Sequence, residues 1–128
     1  MEIGALIVDD QSDIRLLIRM IVDAANEGLF VKRAVASGEE ALNVVDDVDP
    51  MVVVLDEMMP GMSGIETAEA LRRRRPGQLM IMCSAYVDDD LRRRAERAGI
   101  LMCLPKERVR EIPAALREIA RRPGHSAG

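Results

Sequence analysis

The strongest constraint on the fold is an alternation: five short apolar runs are separated by longer stretches whose apolar residues recur at helical spacing. The runs cover residues 3–8, 29–35, 51–55, 79–83 and 100–104. Each has the length of a strand, and several are apolar at every position, as strands covered on both faces are. In the intervals, Ile14, Leu17, Ile18, Ile21 and Val22 repeat with a helical period. Ser37 with Glu40, before Ala41, Leu42 and Val45, has the pattern of a capping box, and Ser63 with Glu66 repeats it before Ala68 and Leu71. Leu91, Ala95 and Ala98 make a sparse stripe that ends at Gly99, a helix stop. The last helix carries Ile112, Leu116, Ile119 and Ala120; Pro113 confines its start to the preceding turn, near Val109. Strand–helix alternation repeated five times predicts an α/β sandwich on a parallel sheet with right-handed crossovers.

A chain of 128 residues makes one domain, and 48% hydrophobic content supports a core without a disulfide or structural metal. Aromatic residues are only 2%, so aliphatic side chains and the nine methionines must fill the interior. A net charge of -4 argues against nucleic acid as the main partner of this domain. The basic run Arg72 to Arg75 ends a helix, where cations complement the dipole. No run approaches membrane-spanning length, and the start of the sequence lacks a cleavable signal pattern. Cys83 and Cys103 both sit inside apolar runs, which predicts reduced core thiols in a cytoplasmic protein.

The polar residues at the run ends carry the chemistry. Asp9 and Asp10 follow the first run, Asp56 the third, Ser84 the fourth and Lys106 the fifth. Open parallel sheets bind ligands beyond the carboxyl ends of their strands, at the switch point of strand order. Three carboxylates brought together there repel one another, and burial adds to the cost, so such a cluster calls for a cation. Hard oxygen donors with no His or Cys among them suggest Mg2+. Taken singly, Asp10 or Ser12 could cap the first helix, Asp56 or Ser84 could be a turn residue, and Lys106 a surface lysine. Glu57, beside Asp56, is expected to point away and form a lip of the site.

Four motifs in order, Val8-Asp9-Asp10, Leu55-Asp56 with Met59-Pro60 and Gly64, Ser84-Ala85-Tyr86, and Gly99 followed by Leu104 and Lys106, span nearly the whole chain. Together they resemble the receiver domain of bacterial two-component response regulators, of the chemotaxis-regulator type. The resemblance implies a flavodoxin-like doubly wound sheet of five parallel strands in the order 2-1-3-4-5, flanked by five helices. It implies a receiver domain over residues 1–121 and a short tail over 122–128. Asp56 would accept a phosphoryl group from a sensor histidine kinase or a phosphotransfer protein. Magnesium would be held by Asp10, Asp56 and the backbone carbonyl of Met58, with Asp9 acting through a water. Lys106 and Ser84 would bind phosphoryl oxygens, and the inward movement of Ser84 would remodel the face made by the fourth helix, fifth strand and fifth helix toward a protein effector. Arg92 to Arg94 and Arg97, facing Asp88 to Asp90, read first as a solvated charged helix, with a salt-bridged weak homodimer, as in some receivers, as the alternative; turnover of a separate substrate is not expected.

Three departures from that pattern matter. Cys103 stands where receivers carry a Tyr or Phe that swings inward, which leaves Tyr86 as the candidate switch aromatic. Glu107 follows Lys106 where a proline is usual, while Pro105 precedes it. Met58 places an apolar side chain at the mouth of the site, which is expected to slow phosphoryl loss by limiting water. Rival readings stand beside this one. A magnesium phosphohydrolase would want a second acid where Met58 lies. An unphosphorylated scaffold would usually have lost an acid or the lysine. A flavodoxin-type phosphate loop would not begin with the acidic Asp9-Asp10-Gln11. A stand-alone regulator and the N-terminal part of a longer transcriptional regulator both remain open.

Overall fold

The computed structural model describes residues 1–122; of the expected tail, residues 123–128 lie outside the described residues. The elements follow in the order β1 Ile3–Val8, α1 Ser12–Ala25, β2 Leu29–Val35, α2 Gly38–Val48, β3 Val52–Leu55, α3 Gly64–Arg74, β4 Leu79–Ser84, α4 Asp89–Arg97, β5 Cys103–Pro105 and α5 Ile112–Ala120, with a 3-10 stretch Lys106–Glu111 before α5. All strand pairings are parallel, and the sheet order is β2-β1-β3-β4-β5. This is the flavodoxin-like arrangement. The order reverses between β1 and β3, so the carboxyl ends of those two strands flank the switch point.

Every residue of β1, β3 and β4 is buried, because helices cover both faces of the sheet. Strand alternation splits the core in two. Ile3, Ala5, Ile7, Val54, Ile81 and Cys83 pack with Ile18 and Val22 of α1 and with Ile112, Leu116 and Ile119 of α5. Leu6, Val8, Val53, Leu55, Met80, Met82 and Cys103 pack with Ala41 and Val45 of α2, Ala68 and Leu71 of α3, and Leu91 and Ala95 of α4. The two cysteines therefore point into opposite halves of the core as free, buried thiols. No helix among the described residues is long and apolar enough to cross a membrane.

Local rules account for most boundaries, and the exceptions have physical causes. Ser63 and Glu66 form the full reciprocal capping box on α3. At α2, Ser37 accepts from the Glu40 N–H as expected, but the Glu40 carboxylate reaches the N–H of Ala36 instead of Ser37. The 100–104 run is a strand only from Cys103. Its first residue closes α4 in a Schellman arrangement: Gly99 takes φ +92, its N–H donates to the Glu96 carbonyl, and the Ile100 N–H donates to the Ala95 carbonyl. The last α-helix starts at Ile112, later than Val109. A helix begun at Val109 would need the N–H that Pro113 lacks to bond the Val109 carbonyl; starting at Ile112 puts Pro113 in the first turn, where no donor is required.

Candidate functional site

Sheet register assembles the site. Val8 pairs with Leu55, and Leu55 with Met82, so the residues just past β1 and β3 emerge side by side. Ser84 pairs with Pro105, which brings Lys106 to the same edge one residue later. Asp9 and Asp56 are each only 2% exposed, Ser84 is fully buried, and Asp10 faces solvent. Carboxylate oxygens of Asp9, Asp10 and Asp56 all lie within 4.8 Å of one another.

Lys106 reaches into this cluster. Its Nζ stands 3.1 Å from Asp9 Oδ2 and 3.3 Å from Asp56 Oδ2, with the side chain 14% exposed. It donates a hydrogen bond of 2.9 Å to the side-chain oxygen of Gln11. Asp9 is further held by the Gln11 backbone N–H, which donates to its Oδ1 at 2.9 Å, while Arg15 donates to its main-chain carbonyl at 2.7 Å. Asp56 differs: neither of its buried carboxylate oxygens accepts a hydrogen bond of ordinary geometry, and the same is true of the buried Ser84 hydroxyl. Burial, and then the charge of Asp9, push the Asp56 carboxyl above its ordinary range, while Lys106 pulls the other way. Burial works against the charge on Lys106, but Asp9 and Asp56 outweigh it and raise the ammonium above the usual lysine value.

The donor set fits magnesium. Three oxygen-bearing carboxylates converge, and Asp56 offers lone pairs that no protein group occupies. Cys83, the nearest soft donor, is pushed up to about 11, chiefly by burial, and stays a thiol near neutrality. The loop after β3 is built for close approach. A Cβ on Gly64 would lie 2.2 Å from the Asp56 carbonyl oxygen, and the Gly64 N–H donates to the Glu57 carbonyl, so α3 begins directly against the backbone of the acidic residue.

The family pattern of the response regulator receiver domain matches residues 5–117. The transcriptional activator protein ExaE of Pseudomonas putida is 38% identical over 125 residues, which are 96% of this chain and 56% of that protein. This chain belongs to the response regulator receiver domain family. The response regulator GacA of Pseudomonas aeruginosa is 30% identical over 119 residues, 91% of this receiver and 55% of GacA. The receiver thus spans about half the length of these two relatives. The response regulator domain of Thermotoga maritima CheB superposes with a TM-score of 0.87 at 22% identity, covering 95% of this chain and 98% of that one. The domain is accordingly a component of two-component signalling, and its acidic cluster suits magnesium binding and phosphorylation.

Other residues singled out in the sequence take varied places around the receiver site. Met58 and Tyr86 turn their side chains to solvent, at 71% and 74% exposure. Cys103 is buried against the α2–α3–α4 side of the sheet, and burial raises its thiol. Neither Asp10 nor Ser12 caps α1: Gln11 holds the N-cap position without a side-chain cap hydrogen bond, and the Asp13 carboxylate accepts from the first-turn Ile14 N–H. Glu57 lies outside the acidic cluster of Asp9, Asp10 and Asp56. Its Oε1 accepts from the Ile65 N–H at 2.9 Å, and its Oε2 lies 3.8 Å from Arg94 of α4. Arg75 pairs with Asp46 and Asp49, and Arg74 approaches Asp46, so part of the basic run is neutralised locally. All peptide bonds among the described residues are trans, Lys106–Glu107 included. Gln11 figures in the sequence only as the end of the acidic segment Asp9-Asp10-Gln11; its one signal as a site residue is a long amide side chain directly after the acidic pair.

Proposed function

We propose that this receiver accepts a phosphoryl group on Asp56 and passes the change to a protein effector. The observation that carries the reading is the unsatisfied carboxylate of Asp56, buried between two other acids and a lysine. One Asp56 oxygen would attack the phosphorus of a phosphohistidine. The phosphorus–nitrogen bond breaks, the electron pair leaves with the imidazole, and an acyl phosphate forms. Asp10, Asp56 and the Met58 carbonyl are the residues that would hold Mg2+, with Asp9 at one remove because its own oxygens already meet Gln11 and Lys106. When bound, the ion would shield the carboxylate from the phosphoryl group and lower the cost of the developing charge. Lys106 is placed to meet a phosphoryl oxygen, and the unpartnered Ser84 hydroxyl can donate to another.

The output surface in this reading is the α4-β5-α5 face. A cleft of about 400 Å3 lies there, lined by Arg92, Glu96, Ile100, Leu101, Cys103 and Arg122. The exposed Tyr86 lies just beyond β4 and is the aromatic that would respond to a movement of Ser84. Met58 at the mouth would slow attack of water on the acyl phosphate. We assign residues 1–121 to the receiver unit, its kinase or phosphotransfer donor and effector to the cytoplasm, and any self-association to the charged α4.

The test is intact mass after incubation with magnesium and acetyl phosphate. One phosphoryl adduct on the wild type, absent from Asp56→Asn and absent with EDTA, is the expected result. An adduct that persists in Asp56→Asn would overturn the assignment. So would no adduct on the wild type together with no structural response to beryllium fluoride.

A further inference from the structure

Gln11 grips the two ends of the Asp9–Lys106 pair. Its backbone N–H donates to Asp9 Oδ1, and its side-chain oxygen accepts from Lys106 Nζ, both at 2.9 Å. It can do both because it occupies the N-cap position of α1 in an extended conformation, φ -90 and ψ 115. Its own side chain is free of capping duty there and turns across the sheet edge to a residue 95 positions away in sequence.

A lysine ammonium has three N–H donors on a flexible stem and no preferred fork geometry. Three oxygens surround this one: Gln11 Oε1 at 2.9 Å, Asp9 Oδ2 at 3.1 Å and Asp56 Oδ2 at 3.3 Å. Without Gln11 the exposed side of the ammonium would meet only water, and it would lose its 2.9 Å hydrogen bond to a fixed acceptor. With its hydrogen bond to Gln11 made and Asp9 Oδ2 at 3.1 Å, the ammonium is kept within 3.3 Å of Asp56 Oδ2.

We infer that Gln11 is a positioning residue: it holds the Lys106 ammonium 3.3 Å from Asp56 Oδ2, where it can donate to a phosphoryl oxygen after transfer. This rests on the phosphoacceptor reading above. A carboxamide suits the task because it supplies an acceptor without adding charge where a negative phosphoryl group must enter. A carboxylate at the same place would hold the lysine more strongly and repel the donor. The gain is preorganisation, the avoidance of a reorientation during transfer.

The test compares wild type, Gln11→Met, Lys106→Met and the double variant. Methionine keeps the length of Gln11 and removes the acceptor. Adduct formation from acetyl phosphate should slow about tenfold in Gln11→Met, the worth of one hydrogen bond to a charged group. It should slow no further when Gln11→Met is added to Lys106→Met. The second readout needs no phosphorylation: the 15N-labelled Lys106 ammonium signal at low temperature, protected from exchange in wild type, should broaden or vanish in Gln11→Met. Wild-type rates in Gln11→Met, or an equal slowing with and without Lys106, would overturn the inference. If the wild type takes up no phosphoryl group, the phosphoacceptor reading fails on its own. The ammonium signal then decides Gln11, and an unchanged signal in Gln11→Met refutes it.

Discussion

Replacing Lys106 by methionine keeps the apolar stem and removes the positive charge from a pair of buried carboxylates. At an effective dielectric of about 20, unit charges 3.1 and 3.3 Å apart attract by about 5 kcal/mol each. The desolvation of a largely buried ammonium, several kcal/mol, offsets much of that sum. What remains is the cost of stranding buried charge, typically about 3–5 kcal/mol when one partner of a buried pair is removed. Asp9 keeps the Gln11 N–H in the variant, so the lower end applies, about 3 kcal/mol. For a domain of this size that corresponds to a drop in Tm of roughly 10 °C. The loss has a pH signature. Without Lys106, which pulls it down, the native-state pKa of Asp56 rises further. Carboxyl groups raised in the native state bind protons there that the unfolded chain has released, so the variant gains stability as pH falls. The gap between wild type and Lys106→Met should be widest near neutrality and should narrow as pH falls from the raised Asp56 range toward the ordinary carboxylate range, about 4. Thermal unfolding followed by circular dichroism, at neutral and mildly acidic pH without magnesium, measures it. An unchanged Tm at neutral pH would refute the electrostatic argument, and an equal loss at both pH values would assign the effect to packing of the lysine stem.

Asp56→Asn should act in the opposite direction. The Asp56 pKa is raised in the folded state, so its ionisation costs stability above the ordinary carboxylate range; the amide should raise Tm near neutrality by a few °C, with the gain fading in acid, as pH-resolved unfolding will reveal. Gly64→Ala should cost about 2–3 kcal/mol in chemical denaturation, because the added methyl would meet backbone at 2.2 Å, and it should also slow adduct formation by shifting the Asp56 loop.

Periodicity made most of the architecture legible. The apolar run 3–8 coincides with β1 because a strand buried on both faces excludes polar residues throughout, and 29–35 coincides with β2, an edge strand whose Lys32 and Arg33 are exposed. Helix starts at Ser37 and Ser63 were legible because capping is local, involving a side chain and a backbone N–H three residues on. Failures occur where local and distant demands compete. Residues 100–102 carry a strand's composition, yet Ile100 spends its N–H on the end of α4. Glu57 follows the acid that ends β3, yet its carboxylate serves the start of α3 and faces Arg94.

The candidate site divides along the same line. Alternation of runs and helices determined that polar residues after the strands would share one edge, since parallel strands all present their carboxyl ends there. The motifs accordingly named Asp9, Asp10, Asp56, Ser84 and Lys106. The roles of those groups were decided by tertiary structure. Asp9 is engaged by Gln11 and Lys106, Asp56 is left without a hydrogen bond, and Lys106 is steadied by a residue 95 positions away. Hydrogen bonding and desolvation depend on distances across the sheet edge, and those distances exist only once β1, β3, β4 and β5 are paired in register.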